Sequence, residues 1–189
     1  MGARLKQISY NPIYALQALV PRTGLDHTEA LIVAEVQATA LLKMVGAVRP
    51  PVPVLILAEH LDVACEHDPT AGELGYHAVG DDTWRVGYAD PSPSERDATV
   101  AHQLKLILDA SFDQDELYPP RWVMTPLLRK HHVAEYFAVC LTMPGAWVQQ
   151  ICRDGEPDVE SLALLFGATP NAMLLRLKAL RLVEPGYGL

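Results

Sequence analysis

The amino-acid sequence predicts an α+β fold that is mainly helical and contains a small antiparallel sheet. Helices are indicated by several apolar segments of helical length, each preceded by a capping residue. The sheet is predicted by the stretch YHAVGDDTWRVGYAD (76–90), which has strand-like runs at 76–79 and 83–88 around the turn residues 80–82. Half of the 189 residues are hydrophobic, so the chain can bury a sizeable core.

The first two predicted helices follow clear start signals. Asp26 or Thr28 caps an apolar helix that Gly46 ends. Pro53, a residue suited to the first turn of a helix, begins a second helix over about 54–63. The intervening stretch RPPVP is expected to be a stiff linker, since proline restricts its own backbone and that of the preceding residue.

Two longer helices are predicted in the middle of the chain. Ser94 with Asp97 three residues later is a capping-box pattern, which predicts a helix over about 95–111. A further helix over about 125–141 contains the run RKHHVAEYFAVCL, and Pro144 begins a short helix after it.

The last part of the chain has the proportions of a helix-turn-helix unit. Asp158 caps its first helix, Gly167 ends that helix, and Thr169 followed by Pro170 begins the second. We expect these residues to form a compact helical unit.

Three parts of the chain are therefore predicted. Residues 1–26 form an N-terminal arm, because Pro12 and Pro21 interrupt them and no hydrophobic period is sustained. Residues 27–152 form the main domain, and residues 153–189 form a helical tail packed on it.

Acidic residues are concentrated in one stretch of the chain. The formal net charge is −8, and residues 59–97 alone hold ten acidic residues and two arginines. Such a stretch repels nucleic-acid phosphates and attracts basic proteins, although it is also typical of a solvated face without a partner.

The composition predicts a cytoplasmic protein. No run of about 18 apolar residues, the length that a membrane span needs, is present in the sequence. The three cysteines are few and odd in number, which suits reduced thiols rather than a disulfide framework.

Three segments, in this order and spacing, resemble the ImmA/IrrE family of intracellular zinc metallopeptidases. SERDATVAHQLKLIL (94–108) is similar to the family's stretch leading into T-x-A-H-E-L-G-H, and VAEYFAVCLTMP (133–144) is similar to A-x-x-F-A-x-x-L-x-M-P. VESLALLFGATPNAMLLRLKALRLV (159–183) is similar to the leucine-rich helices that follow. The resemblance covers residues 28–183 and implies a minimal zincin-like domain followed by a helix-turn-helix-like tail.

The sequence departs from this family where the zinc chemistry would be. His102 fills the first position of the H-E-x-x-H motif, whose two histidines bind zinc and whose Glu activates the zinc-bound water. Gln103 replaces that Glu and accepts no proton, and Leu106 replaces the second His. His131 stands where the family has its third ligand, a Glu. Of these four positions, only the two histidines offer a metal-binding atom.

We therefore expect no catalytic residue and no bound metal. The sequence leaves two interpretations of His102 open: a partly buried, hydrogen-bonded histidine, or one half of a residual site with His131, helped by His132 or Asp109. Two histidines fall short of the three protein ligands usual in catalytic zinc sites. Zinc is expected only if the chain is an altered peptidase.

Two other kinds of site are disfavoured. Cys140 as a nucleophile beside His131 faces poorly on the same helix, so a core cysteine is expected. Arg176, Lys178 and Arg181 do not form one stripe on the second tail helix, so we expect no nucleic-acid binding.

The sequence leaves three functional classes open. The first is a pseudo-peptidase that binds a regulatory protein, and the resemblance implies a helix-turn-helix repressor as that partner. The second is an active but altered zinc metallopeptidase cleaving a repressor, and the third is a DNA-binding transcriptional regulator. For the first class we expect a binding groove between the edge of strand 83–88 and the helix at His102.

Overall fold

The computed structural model describes residues 11–21, 24–71, 75–80, 83–120, 124–155 and 158–183. Within these ranges the chain is mainly helical α+β, as the sequence predicted, with nine α-helices and one three-stranded sheet. The helices are α1 (Pro12–Gln17), α2 (His27–Met44), α3 (Val54–His60), α4 (Pro93–Asp109), α5 (Gln114–Leu117), α6 (Pro126–Thr142), α7 (Gly145–Ile151), α8 (Val159–Phe166) and α9 (Pro170–Ala179). The strands are β1 (Val63–His67), β2 (Tyr76–Gly80) and β3 (Thr83–Tyr88).

The sheet is mixed, so the prediction of an antiparallel sheet was wrong in part. The predicted hairpin is present, because β2 pairs with β3 in antiparallel fashion. The sheet also contains β1, which lies parallel to β3 on its other side. The second helix was expected to reach Val63 but ends at His60, because Asp62 has a left-handed φ of 57° that turns the chain out of the helix.

Most predicted helix starts are confirmed by hydrogen bonds of the capping side chains. Asp26 accepts from the backbone N–H of Glu29, whose carboxylate accepts from the N–H of Asp26, which completes a capping box. The side chains of Thr125, Asp158 and Thr169 cap α6, α8 and α9, since each accepts from the backbone N–H three residues further on.

The predicted start of α4 was wrong by two residues. Ser92 is its N-cap and Pro93 its first residue, so Ser94 lies inside the first turn. Proline favours this position because its missing N–H has no helical partner there. Asp97, expected to be part of the capping box, instead pairs with Arg96 at 2.7 Å.

Helix α6 is the centre of the fold, since it packs against both α2 and α4. The main core is made by these helices together with α1, α3 and buried residues of the sheet.

Helix α1 lies within the segment predicted to be an arm. Its Leu16 is fully buried, and the Leu16 carbonyl accepts from the amide of Gln37 on α2. Residues 1–10 of that segment lie outside the described residues.

A second core cluster lies in α7, α8, α9 and the end of α6. Its innermost side chains include Val148, Met173 and Leu177, which are fully buried. Arg176 of α9, only 2% exposed, donates from Nε to the Met143 carbonyl at 3.0 Å. The tail is therefore attached to the end of α6 by packing and by a buried guanidinium.

None of the helices in the described ranges combines the length and hydropathy that a membrane crossing requires.

A buried ionic group lies on the inner face of α4. Lys105 and Asp109 are each 1% exposed, and the Lys105 ammonium donates to the Asp109 carboxylate at 2.6 Å. The hydroxyl of buried Tyr118 donates to the other carboxylate oxygen at 2.5 Å. Burial, reinforced by the Asp109 charge, raises the pKa of Tyr118 far above its usual range, so its hydroxyl keeps its proton.

Asp109→Asn is expected to lower the free energy of unfolding by about 3–5 kcal/mol, because it leaves the Lys105 ammonium buried without a counter-charge. Chemical denaturation at neutral pH measures the loss. The double variant Lys105→Met with Asp109→Asn serves as the control, since it buries no charge and should recover part of the stability. A single-variant loss below about 1 kcal/mol, the typical value for an exposed pair, would contradict a buried ionic contact.

Candidate functional site

The two histidines at the motif positions meet between α4 and α6. His102 Nε2 and His131 Nδ1 are 3.0 Å apart, and the ring centroids are 5.2 Å apart. Because the nitrogens are much closer than the centroids, the rings meet through these two atoms rather than face to face. One ring donates its N–H and the other accepts, which requires at least one of the two facing nitrogens to be unprotonated.

The other two motif positions are buried. Gln103 and Leu106 are each 3% exposed. Leu106 lies one helical turn beyond His102, on the same side of α4, where the family places its second metal-binding histidine. An apolar side chain therefore occupies the interior at that position.

An open cleft of about 680 Å³ lies beside the histidine pair. It is bounded by α4, by α6 and by the turn between α8 and α9. The lining residues are Ser94, Glu95, Ala98, Thr99, His102, Gln103, Leu127, Leu128, His131, Glu135, Ala138, Val139, Thr142, Met143, Gly167, Ala168, Thr169 and Ala172. Its walls are mainly apolar, two carboxylates (Glu95 and Glu135) belong to the lining, and no Lys or Arg is among these residues.

His102 is held in its neutral form. Burial, assisted by the nearby His131, lowers the pKa of His102 to about 4. A neutral imidazole can donate or accept a hydrogen bond at neutral pH but brings no positive charge into the cleft. Gln103 beside it has no proton-accepting carboxylate, so the pair lacks the acid–base partner that a peptidase uses.

The residues present do not fit a catalytic zinc ion. The described part of the chain contains no group of three or more His, Cys, Asp or Glu side chains arranged to hold a metal. The two helpers considered from the sequence are engaged elsewhere. Asp109 binds Lys105 and Tyr118, and His132 meets His27 at 3.1 Å.

Cys140 does not face the histidines as a nucleophile. It is 3% exposed, and burial raises the pKa of its thiol to about 11, although Arg176 nearby opposes that shift. A protonated, buried thiol is unreactive. The three cysteines, Cys65, Cys140 and Cys152, all remain free of disulfide bonds.

In the described part of the chain, strand 83–88 has no open edge beside which the expected groove could form. This strand is β3, the central strand of the sheet, and its backbone is paired with β1 on one side and β2 on the other. The cleft lies instead between α4, α6 and the α8–α9 turn. Sequence reasoning missed Glu135 in its lining, although the four-residue spacing from His131 places both on one side of a helix.

The tail offers fewer cations than its sequence suggests. Arg176 is 2% exposed and bound to the Met143 carbonyl, and its terminal nitrogen lies 3.5 Å from Glu35. Its guanidinium therefore holds the tail in place and is not available to a phosphate.

No protein-family model matches this chain, and no curated protein was found to be similar to it. The resemblance to the ImmA/IrrE family therefore depends on the three sequence segments alone.

Leu106→Ala is expected to lower the free energy of unfolding by about 2–5 kcal/mol, because it leaves a cavity in the interior. Chemical denaturation measures the change. Leu164→Ala is the matched control: Leu164 is 85% exposed and should lose less than about 0.5 kcal/mol. Equal, small losses in the two variants would show that Leu106 is not packed.

A second expectation concerns pH. The folded chain holds the pKa of His102 near 4, below the ordinary 6.5 that applies when the chain is unfolded. As pH falls from 7 to 5, His102 becomes protonated in the unfolded chain but stays neutral in the folded chain. The free energy of unfolding therefore decreases over this range. His102→Gln should show a smaller loss over this range than the wild type in urea denaturation.

The control for the pH experiment is His60→Gln, which alters an exposed histidine at the end of α3 and should keep the wild-type pH dependence. Proton NMR of the folded protein gives an independent measurement. A His102 ring that titrates above pH 6 would contradict the assignment.

Proposed function

We propose that this chain is a non-catalytic, ImmA/IrrE-like pseudo-peptidase that binds a regulatory protein without cutting it. On this proposal the zincin-like framework is retained as a binding surface, and the cleft beside His102 and His131 receives a segment of the partner. The partner class, a helix-turn-helix repressor, comes from the resemblance to the family.

The observation that carries the proposal is an open cleft at positions that have lost their metal chemistry. A volume of about 680 Å³ falls in the range of ordinary ligand-binding pockets. Leu127 and Leu128 at its margin are more than half exposed, at 56% and 58%, and exposed apolar side chains of this kind favour contact with another protein. Catalysis is disfavoured because Gln103 and Leu106 supply neither a general base nor a ligand.

The charge of the cleft favours a basic partner segment. Glu95 and Glu135 are exposed residues of its lining, and no Lys or Arg is among the lining residues that the structure describes. The acidic stretch 59–97, which includes Glu95, would speed encounter with a basic protein. DNA-binding regulators are basic on the face that meets phosphate, so occupying that face would sequester the regulator. The three free thiols suit a cytoplasmic site of action.

The experiment is capture of partners from the native cell, followed by titration of the purified partner at two salt concentrations. We expect an intact helix-turn-helix regulator whose affinity falls as salt rises. Glu135→Gln should weaken binding, because it removes a carboxylate from the cleft. Glu160→Gln, an exposed acid of α8 that does not line the cleft, changes the net charge equally and should bind normally.

Three results would contradict the proposal. Cleavage of the partner, together with one zinc per chain that is lost in His102→Ala, would establish the altered peptidase instead. Capture of nucleic acid alone would establish the DNA-binding class. Equal binding by the two glutamine variants would remove the cleft as the binding surface.

A further inference from the structure

A second histidine pair lies outside the cleft, between α2 and α6. His27 Nε2 and His132 Nε2 are 3.1 Å apart, the ring centroids are 5.2 Å apart, and the ring planes are inclined by only 14°. His27 is exposed and His132 is partly exposed, so the pair lies at the surface. Neither residue lines the cleft.

The pair arises from two neighbouring positions on α6. Consecutive helical residues point about 100° apart, because the α-helix has 3.6 residues per turn. His131 therefore faces His102 on α4, while His132 faces His27 in the first turn of α2. The two pairs share one helix but belong to different helix contacts.

We propose that His27 and His132 form a chelating site for a divalent transition-metal ion of the copper(II) or nickel(II) type. An ion about 2.1 Å from both nitrogens, a usual metal–imidazole distance, would make an N–metal–N angle of roughly 95° across the observed gap. Square-planar and octahedral ions prefer neighbouring ligands near a right angle, whereas zinc prefers the wider tetrahedral angle. The ring centroids would need to approach by a few tenths of an ångström, and both rings would need to tilt so that their Nε2 lone pairs converge on the ion.

Binding requires no net loss of a proton from the neutral pair. Each neutral imidazole carries one N–H, and in the present contact one of the facing Nε2 atoms carries it. When both Nε2 atoms bind the ion, that ring holds its hydrogen on Nδ1 instead, by exchange with water. Because His27 is exposed, water can enter the coordination sphere of the ion.

The exposed pair suits an ion better than the pair in the cleft. The burial that holds His102 neutral also opposes a doubly charged ion there, because a buried charge loses its hydration. At the exposed pair, water can complete the coordination sphere, so two protein ligands suffice. The net charge of −8 further favours a cation.

The site would join α2 to α6, two helices that pack together in the main core. An ion that binds the folded chain and not the unfolded chain stabilises the fold by mass action. Thermal unfolding should therefore shift upward with the concentration of nickel or copper. This inference is independent of the proposed function, because the site lies outside the cleft.

The test uses the full chain, stripped of metal with EDTA and titrated with nickel(II) chloride or copper(II) sulfate by calorimetry. We expect one ion per chain with affinity in the order copper, nickel, zinc. His27→Ala and His132→Ala should each weaken binding by at least about tenfold, since loss of supporting residues alone costs that much at metal sites. His60→Ala, a change at another exposed histidine, and His102→Ala should bind as the wild type does.

A spectroscopic readout on the wild-type protein covers the case in which a variant fails to fold. Electron paramagnetic resonance of the copper-loaded wild-type chain should show coupling of the copper to two imidazole nitrogens, and the same coupling should persist in His102→Ala, which lacks the cleft pair. Coupling of the copper to fewer than two imidazole nitrogens would overturn the proposal. Unchanged affinity in folded His27→Ala, or lost affinity in folded His102→Ala, would also overturn it, the latter by placing the ion at the cleft pair.

Discussion

The packing of α6 against α2 and α4 is the contact on which the rest of the structure depends. Its apolar face, including Val133, Phe137 and Leu141, is fully buried, which removes a large apolar area from water. This burial fixes the rotation of α6. With that rotation fixed, His131 must face α4 and His132 must face α2, so both histidine contacts follow from hydrophobic packing rather than from attraction between the rings.

Buried charges then determine how the surrounding parts attach to this three-helix centre. Arg129 near the start of α6 is 1% exposed and donates to the Pro119 carbonyl and to Asp115, which holds the α5 segment. Arg176 does the same for the tail through the Met143 carbonyl. Burying a guanidinium group costs free energy, which its contacts offset. These contacts therefore fix the positions of the attached segments more than they add stability. The tail turn consequently stays beside α4 and α6 and completes the cleft.

The sequence predicted local features better than distant ones. Asp26, Asp158 and Thr169 were identifiable because a cap contacts the backbone within three residues of itself. Strand β1 was missed because its parallel pairing with β3 depends on residues about twenty positions away. At the site, the motif spacing led us to consider His102 and His131 together. No local sequence signal indicated that the α8–α9 turn lines the cleft, because the position of this turn depends on the contact between Arg176 and the Met143 carbonyl.

The histidines show how an open cleft can lie beside positions that lack the ligands and the carboxylate of a zinc peptidase. A zinc peptidase needs its ligands on one helix face with a carboxylate between them, and that face here carries a buried Leu106 and Gln103. On α4 the cleft is lined by His102 and Gln103 and, one turn earlier, by Ala98 and Thr99, whereas Leu106 is not part of the lining. Interior packing at position 106 therefore removes a ligand without filling the cleft. Under the proposed function, binding and chemistry separate because the α4 residues that line the cleft end at Gln103, whereas a second zinc-binding histidine would have to stand at position 106.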